Sequence, residues 1–343
     1  MASKRTKKPK SSPQRKTKSF LLRWGILLGA TLLLCTGGTT IGLGWHEYTR
    51  PGPLSVGQDV VVPHGGYAST ASALQKAGVL RDGWWQATLF HLSIVLTRRN
   101  GQIHAAELHF PAGVSVQETL WILRHAKPVL HRLTIPEGLT ASQISALIAE
   151  APFLTGTMPP LREGTILPQT YSYLRDSSRQ ALVAQMQLSL RIALQKIWQA
   201  RNPDEQTMQT PEELVILASL IEKETAGPEE RPLIARVFLN RLAKGMRLQT
   251  DPTVIYAITD GQPPLGRPLT RSDLQTPSPY NTYLNPGLPP GPICAPGAQA
   301  LEAAAHPAQS DALYFVANGT GGHSFASTLS GHNQNVAEFR KKR

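Results

Sequence analysis

Between Trp24 and Trp45 the chain runs for 22 residues without a charged side chain. As a helix this stretch would be about 33 Å long, which is enough to cross the hydrocarbon core of a bilayer. A tryptophan at each end suits the two membrane interfaces. The stretch therefore predicts a transmembrane helix over residues 24–45, and it confines any soluble domain to the segments on either side.

The residues before this stretch carry most of the excess positive charge. The formal net charge is +12, and about +3 remains after subtracting the basic residues that precede the first acidic one, which are Lys4, Arg5, Lys7, Lys8, Lys10, Arg15, Lys16, Lys18 and Arg23. By the positive-inside rule, this basic tail (1–23) stays in the cytoplasm and everything after the helix lies in the periplasm or another extracytoplasmic space. A cleaved signal peptide is the alternative, but the apolar run is too long and "GWHEYTR" is a poor cleavage site. A nucleic-acid-binding role would depend on the tail alone, which membrane topology explains better.

The two cysteines cannot form a disulfide in the external part of the chain, because Cys35 lies in the predicted span and Cys294 stands alone outside it. The fold must then depend on its hydrophobic core. We expect Cys294 to be a small buried residue rather than a nucleophile.

After a linker at residues 46–58, residues 59–150 contain two phrases of similar composition. Each has a β-rich run, a Pro-Ala-Gly or Pro-Glu-Gly turn and a helix start, in "LHFPAGVSVQETLWIL" and "LTIPEGLTASQISALI". Ser115 with Glu118, and Thr140 with Gln143, have the spacing of capping boxes. The phrasing resembles small wall-binding LysM-like modules, and a generic α+β packing module is the alternative.

Residues 151–343 predict a mixed domain with helices first and a small sheet late, so the whole chain is assigned to the α+β class. Helices are expected over 178–200, from Thr210 onwards, over 232–242 and over 298–305. "TVIYAI" after Asp251-Pro252 is compatible with a helix or a strand. "ALYFVANGTGGHSFAS" predicts a β-hairpin with an Asn-Gly-rich turn.

The helix that starts at Thr210 is apolar on all sides from Leu214 to Ile221, which is typical of a helix buried in the centre of a domain. It ends in Glu222-Lys223-Glu224. The two carboxylates lie about 200° apart around the axis, so periodicity cannot tell which one faces the core. A carboxyl in apolar surroundings has a raised pKa and can act as a general acid, whereas a solvated helix end has no such role.

The sequence from this helix onwards resembles the membrane-bound endolytic murein transglycosylases, the MltG or YceG-like family. The resemblance is carried by "LASLIEKETAGPEERPLIARVFLNRLAKGMRLQTDPTVIYA", "TPSPYNTYLNPGLPPGPICAPGAQALEAAAHP" and "LYFVANGTGGHSF". It covers most residues from about Pro211 to Asn335 and thins upstream to "LTIPEGLT" and "EGTILPQTY".

The resemblance implies that Glu224 is the catalytic acid/base of a lyase that cuts the MurNAc–GlcNAc bond of glycan strands. The MurNAc C6 hydroxyl would replace water as the nucleophile and give 1,6-anhydro ends, so no second carboxylate is required, and none is apparent in the sequence. It also implies termination of nascent strands beside the wall synthases. A muramidase-type hydrolase using the same Glu, and a non-catalytic peptidoglycan-binding protein, are the alternatives.

Sugar-binding groups are expected among the matching blocks. Gln249, Tyr280, Asn281 and Tyr283 offer donors, acceptors and stacking faces, and Glu163 could border the cleft. Each of the four also has a structural alternative: a turn cap for Asn281, core packing for the tyrosines and a backbone hydrogen bond for Gln249. Gln169 stands where the family is usually acidic, so a catalytic role there is not expected. For Arg231, Asn240 and Arg241 an ion pair with Glu222 is the simpler role.

No metal or cofactor is expected. His323 and His332 do not have the spacing of a helical zinc pair, and no third ligand is near in sequence. They are interpreted as structural. No phosphate loop, nucleophile elbow or dinucleotide fingerprint occurs in the chain.

Overall fold

The computed structural model describes residues 14–202, 207–225, 227–263 and 265–342, so most of the predicted basic tail lies outside the described residues. The described residues form α-helices and three small antiparallel sheets of two strands each, which confirms a mixed α+β chain. Packing divides the chain into two compact units, unit 1 (Met1–Val129) and unit 2 (Leu130–Arg343).

Unit 1 begins with a long helix, α1 (Gln14–Thr49), that contains the predicted span. Residues Arg23–Thr49 have a mean hydropathy of 1.8 and none of their most apolar window is buried, so by length and composition this helix can cross a membrane. The helix continues into the first residues of the predicted linker, and Gly52 and Leu54 then hydrogen-bond to the Gly113 turn.

The rest of unit 1 is a small α+β body. Its elements are β1 (Gln58–Val61), α2 (Tyr67–Lys76), α3 (Trp84–Leu96), β2 (Glu107–Phe110) and α4 (Val116–His125). β1 and β2 pair antiparallel, with Gln58 opposite Phe110. The predicted capping box of Ser115 and Glu118 is present at the start of α4. Leu74, Phe90, Leu108, Phe110 and Leu123 are fully buried and form the centre of the unit's core.

Unit 2 contains the remaining elements. They are β3 (His131–Thr134), α5 (Ala141–Glu150), β4 (Thr170–Tyr173), α6 (Arg179–Ala200), α7 (Pro211–Glu224), α8 (Arg231–Ala243), α9 (Asp251–Thr259), α10 (Ala298–Ala305), β5 (Tyr314–Ala317), β6 (His323–Ala326) and α11 (Leu329–Lys342). The predicted late hairpin is confirmed as the antiparallel pair of β5 and β6. The ambiguous "TVIYAI" run is helical, because Pro252 occupies the first turn of α9 and the chain continues in helical conformation to Thr259.

The two similar phrases fall in different units. The second has its predicted capping box, Thr140 with Gln143, at the start of α5. Its apolar side chains Ile144 and Ile148 pack into one core with Tyr171 and Met186. Burial of these aliphatic side chains joins the phrase to β4 and α6, whereas the predicted boundary between residues 150 and 151 stays a prediction.

The central helix of unit 2 is α7, as its sequence predicts. Thr210 and Glu213 form the capping box that starts it, with Pro211 in the first turn. Every residue from Leu214 to Ile221 except Ile216 is buried, against α6, α8 and α10. Cys294 is also buried, with its thiol directed at the Ser219 carbonyl, as expected for a small core residue.

Candidate active site

The two carboxylates at the end of α7 have different surroundings. Glu222 is only 7% exposed; its Oε1 lies 3.4 Å from Nη2 of Arg231, and its Oε2 accepts a hydrogen bond of 2.9 Å from the Gly297 backbone. Both oxygens are thus committed to protein donors, and the ion pair expected between Arg231 and Glu222 is present. Glu222 thus joins α7 to α8 and α10. Burial raises the pKa of Glu222 too, so the contacts of its two oxygens, and not its pKa, distinguish it from Glu224.

Glu224 ends α7, where the backbone of Thr225 turns to an extended conformation. Its Oε1 accepts a hydrogen bond from the Thr250 hydroxyl. Burial has the largest effect on the pKa of this carboxyl and raises it. The Thr250 hydrogen bond lowers the pKa, the negative charge of Asp251 raises it, and nearby His323 lowers it. The net result is a pKa above the ordinary value. A raised pKa keeps more of the acid protonated at neutral pH, which a general acid requires.

Thr250 and Asp251 reach Glu224 because the start of α9 is tied to the loop at residues 280–285. Gln249 has a left-handed backbone with φ of 53°, and its N–H donates to the Thr282 carbonyl at 3.2 Å. Thr250 N–H donates to the Thr282 hydroxyl at 3.1 Å, and that hydroxyl lies 2.8 Å from the Thr253 hydroxyl. This network is buried, so it holds the start of α9 rigidly beside the end of α7.

Asp251 is a second carboxylate in the surroundings of Glu224, which was not apparent in the sequence. Its charge acts on Glu224, and its Oδ1 accepts a hydrogen bond of 2.6 Å from the Tyr283 hydroxyl. Burial and this hydrogen bond raise the pKa of Tyr283, so the phenol stays a donor. The sequence could not indicate the pair, because the two residues are far apart in the chain and Asp251 has the sequence context of a helix start.

His323 at the start of β6 completes the surroundings of Glu224 on the hairpin side. Its Nδ1 lies 2.7 Å from Oε2 of Glu230, and its backbone N–H donates to Oε1 of the same carboxylate. Although burial raises the pKa of Glu230, the hydrogen bonds from His323 hold it below its ordinary value. His332 instead stacks on Tyr314. No group of side chains that could hold a metal ion occurs among the described residues.

Of the predicted sugar-binding residues, Gln249 and Tyr283 lie in this neighbourhood. Gln249 is exposed, and its Oε1 accepts from Nη2 of Arg241 at 3.3 Å. Arg241 also donates to the Leu248 carbonyl and is not paired with Glu222 as the sequence suggested. Asn240, which is uncharged and cannot form an ion pair, donates to two carbonyls before β5.

Asn281 is fully buried. Its amide donates to the carbonyls of Leu274 and Thr276, and its oxygen accepts from the Tyr283 N–H at 2.9 Å. With these bonds it organises the loop that carries Tyr280 and Tyr283. A sugar contact by Asn281 stays a prediction, and the geometry favours the turn-capping alternative.

Tyr280 and Glu163 border a separate cavity of about 880 Å³ in unit 2, beside the N-terminal half of α7. The ring of Tyr280 packs against Tyr256 with centroids 4.8 Å apart. Oε2 of Glu163 accepts a hydrogen bond of 2.9 Å from the Ala141 N–H. Burial is the main cause that raises the pKa of Glu163 to about 7, opposed by that hydrogen bond and assisted by the charge of Asp260.

The wall of this cavity depends on Gly164, whose φ is +63°. A Cβ atom there would lie 2.5 Å from Cγ of Pro292, so the loop can approach the Pro290–Pro292 segment this closely only with glycine.

One helix, α9, connects the two neighbourhoods. Asp251, its first residue, acts on Glu224, whereas Tyr256 and Asp260, at its other end, act on Glu163. At 1.5 Å per residue, Asp251 and Asp260 are separated by about 13 Å along the axis. α9 therefore carries one group that acts on Glu224 and two that act on Glu163 beside the cavity.

Comparisons with known proteins agree with the resemblance. The sequence profile of the YceG-like family matches residues 60–338. An endolytic murein transglycosylase of Streptococcus pneumoniae is 30% identical over 316 residues, and the match covers 78% of this chain and 55% of the relative. An endolytic murein transglycosylase of Bacillus subtilis is 50% identical over 121 residues, and the match covers 35% of this chain and 32% of the relative. The chain thus spans about half the length of the pneumococcal relative. A crystal structure of a yceG-like protein from Listeria monocytogenes has 29% identity and a TM-score of 0.50, covering 82% of this chain and 99% of that one.

Proposed function

Since this chain belongs to the YceG-like family, we propose that it is an endolytic murein transglycosylase that cleaves the MurNAc–GlcNAc bond in the glycan strands of peptidoglycan. The observation that carries the proposal is the carboxyl of Glu224, which has a raised pKa and a hydrogen bond from Thr250 at the end of a buried helix. The pneumococcal and Bacillus relatives, both named endolytic murein transglycosylases, support the same reaction.

Glu224 acts twice in the proposed reaction. In the first step its proton goes to the O4 atom of the departing GlcNAc as the bond from C1 of MurNAc breaks and positive charge develops on that sugar. In the second step the C6 hydroxyl of the same MurNAc forms a bond to C1 and gives its proton to the Glu224 carboxylate. The acid is regenerated, and the product is a 1,6-anhydroMurNAc end. An internal hydroxyl is already in position, which removes the entropy cost of capturing water.

The glycan strand would lie along α9. Gln249 and Tyr283 are close to the general acid and offer an amide and a hydroxyl to the sugars on either side of the cleaved bond. Tyr280, with Glu163, would contact sugars further along, in the cavity at the other end of α9. Asn281 would contribute by holding the loop of the two tyrosines.

Asp251 supports a second candidate function, a muramidase-type hydrolase. Inverting and retaining glycosidases use two carboxyl groups, one as acid and the other as base or nucleophile. Glu224 and Asp251 are near enough for the charge of one to raise the pKa of the other. In this reaction a water would attack C1 and the product would be a reducing MurNAc end.

The chemical form of the new end distinguishes these functions. The full-length protein in detergent is incubated with purified sacculi, and the soluble and residual glycan ends are analysed by mass spectrometry. Anhydro ends are expected. Reducing ends would favour the hydrolase. Unchanged sacculi with retained binding, and no difference between the wild type and Glu224→Gln, would contradict both and favour a non-catalytic peptidoglycan-binding protein.

The remaining features of the function are also proposals. α1 would anchor the chain in the cytoplasmic membrane with its basic tail inside, and the part of unit 1 after α1, together with unit 2, outside, where peptidoglycan is found. The first strand–turn–helix phrase, in unit 1, would form part of a LysM-like glycan-binding module. Cleavage beside the wall synthases would terminate strand elongation. Accessibility of Ser72→Cys in unit 1 to a membrane-impermeant thiol reagent on intact cells tests the orientation, since Ser72 is exposed.

A further inference from the structure

Helix α3 of unit 1 has an apolar exposed face, whereas the exposed face of a helix in a soluble protein is normally polar. Its sequence, WWQATLFHLSIVL, contains no Asp, Glu, Lys or Arg. One face packs into the core through Leu89, Phe90 and Ile94. The opposite face is exposed and carries five large apolar side chains, which are Trp84, Trp85, Leu92, Val95 and Leu96. Trp84 and Leu96, at the two ends of the helix, are 78% and 73% exposed. A helix that is apolar all round is normally buried or in contact with lipid.

The exposed face of α3 continues the surface of the membrane-spanning helix. Ile41 and Gly44 of α1 line the same apolar groove of about 450 Å³ as Leu89, Leu92 and Leu96 of α3. Ile41 lies four residues before Trp45, the last residue of the uncharged stretch, so the groove extends about 6 Å into the span. This is the depth at which helices lying in a membrane interface bury their apolar face.

Of the four polar side chains Gln86, Thr88, His91 and Ser93 of α3, three are hydrogen-bonded within the protein, and the exposed His91 ring packs on Tyr67 with ring centroids 5.5 Å apart. The hydroxyls of Thr88 and Ser93 donate to the carbonyls of Trp84 and Leu89, four residues earlier, at 2.8 and 2.7 Å. Each hydroxyl is therefore satisfied within the helix and needs no water. Gln86 faces inward, and its Nε2 donates to Oε2 of Glu47 at 2.8 Å, which ties α3 to the end of α1.

The flanking residues fit the same position. Trp45 of α1 and Trp85 of α3 both line the groove, and tryptophan favours the boundary between headgroups and acyl chains. Arg98 and Arg99 come two and three residues after the end of α3 and are exposed. At a membrane interface, exposed arginines pair with lipid phosphates. Aromatic and basic residues thus border the apolar face, as at membrane interfaces.

We infer that α3 is a second membrane contact, a helix that lies in the interface on the side of unit 1 with Trp84, Trp85, Leu92, Val95 and Leu96 among the lipid acyl chains. Unit 1 is then not suspended above the bilayer on α1 but rests on it. The inference depends on α1 spanning the membrane and is independent of the proposed activity.

The test places an environment-sensitive fluorophore on single cysteines of the full-length protein in vesicles of phosphatidylethanolamine and phosphatidylglycerol. Cys35→Ala removes the thiol in the span, and burial raises the pKa of the Cys294 thiol, which leaves it inert to labelling. Leu92→Cys and Leu96→Cys report on α3. Ser72→Cys, an exposed polar position on α2 of the same unit, is the matched control.

We expect blue-shifted emission from the probes on Leu92→Cys and Leu96→Cys, strong quenching by lipids with a nitroxide high on the acyl chain, and little quenching by aqueous iodide. The Ser72→Cys probe should show the reverse. High salt should leave the α3 result unchanged, because the contact is apolar. A probe on Trp84→Cys should lose its blue shift when Leu92 and Leu96 are both changed to Asp.

Two outcomes would overturn the inference. If the α3 probes respond to iodide and to lipid nitroxide as the Ser72→Cys probe does, the face is in water. If their emission is blue-shifted but insensitive to lipid nitroxide, and the shift disappears as the ratio of protein to lipid is lowered, the face is covered by a second copy of the chain.

Discussion

The hydroxyl of Thr250 donates a hydrogen bond to Oε1 of Glu224, joining the residue before α9 to the last residue of α7. This bond fixes one oxygen of the carboxyl and leaves the other for a substrate. It also stabilises the carboxylate form, so it moderates the increase in pKa that burial causes. The chemistry proposed for Glu224 therefore depends on a contact between two helices.

Replacement of the two carboxylates at the end of α7 should have opposite consequences. Glu224→Gln keeps the shape of the side chain but cannot carry the proton, so activity on sacculi should fall by about 10²–10⁴-fold while the protein stays folded. Glu222→Ala removes the oxygens that accept from Arg231 and from the Gly297 N–H and should reduce the free energy of unfolding by about 1–3 kcal/mol, with activity retained at low temperature. Thermal unfolding and glycan release, measured on both variants, check this. Equal activity losses without a loss of stability would contradict the separation of roles.

The Thr250 hydroxyl should control the pH dependence of the reaction. Thr250→Val removes the bond that lowers the pKa of Glu224, so this pKa should rise further and the alkaline limb of the pH–rate profile should move to higher pH. The rate at the optimum should fall as well, because the carboxyl loses its support. Thr250→Ser keeps a hydroxyl and is the matched control, with a profile close to that of the wild type. A Val variant with an unshifted profile would show that the bond has no such role.

Removal of the Asp251 charge should also move the alkaline limb of the pH–rate profile, but to lower pH. Its negative charge raises the pKa of Glu224, so Asp251→Asn should lower that pKa and move the alkaline limb to lower pH. Activity at neutral pH should then decrease, since less of the acid is protonated.

Asp260→Asn is the control for Asp251, because it removes a carboxylate from the opposite end of the same helix. Asp260 acts on Glu163 rather than on Glu224. Its backbone is left-handed, with φ of 50°, a conformation that asparagine tolerates. We expect the pH–rate profile of this variant to keep its alkaline limb. Equal shifts in both variants would indicate a general effect of net charge.

Glu163 should make stability depend on pH. Its pKa is about 7 in the folded protein and about 4.5 as the ordinary value, so the folded state holds a proton that the unfolded state releases between these limits. The free energy of unfolding of the wild type should therefore fall as pH rises from 4.5 to 7, with no further loss above that range. Glu163→Gln removes this loss and should be more stable than the wild type at about pH 8 by about 1–2 kcal/mol after discounting for solvent screening. At about pH 4 the two should be equal.

Chemical denaturation in detergent at both pH values measures the Glu163 effect. Glu338→Gln, a change at an exposed position of α11, is the control and should not alter the difference between the two pH values. The amide oxygen introduced by Glu163→Gln can still accept the hydrogen bond from the Ala141 N–H, so the loop should keep its shape. An equal change in stability at the acidic and the alkaline pH would exclude the titration of Glu163 as the cause.

The sequence by itself determined those features that depend on neighbours in the chain. An uncharged run of sufficient length identified the membrane helix, and local side-chain hydrogen bonds identified the starts of α4, α5 and α7 through their capping boxes. The apolar run of α7 predicted its burial. Motif order carried the family resemblance. These signals are readable because helix periodicity and capping act within a few residues.

Only the tertiary structure decided which groups meet. Helix periodicity did not distinguish Glu222 from Glu224. In the folded protein Arg231 and Gly297 approach Glu222, whereas Thr250 approaches Glu224, so the two carboxyls have different surroundings. In the sequence, Asp251 indicated only the start of a helix. In the folded protein its charge also acts on Glu224. The physical reason is that burial and through-space charge set the pKa of a carboxyl, and both depend on segments far apart in the chain.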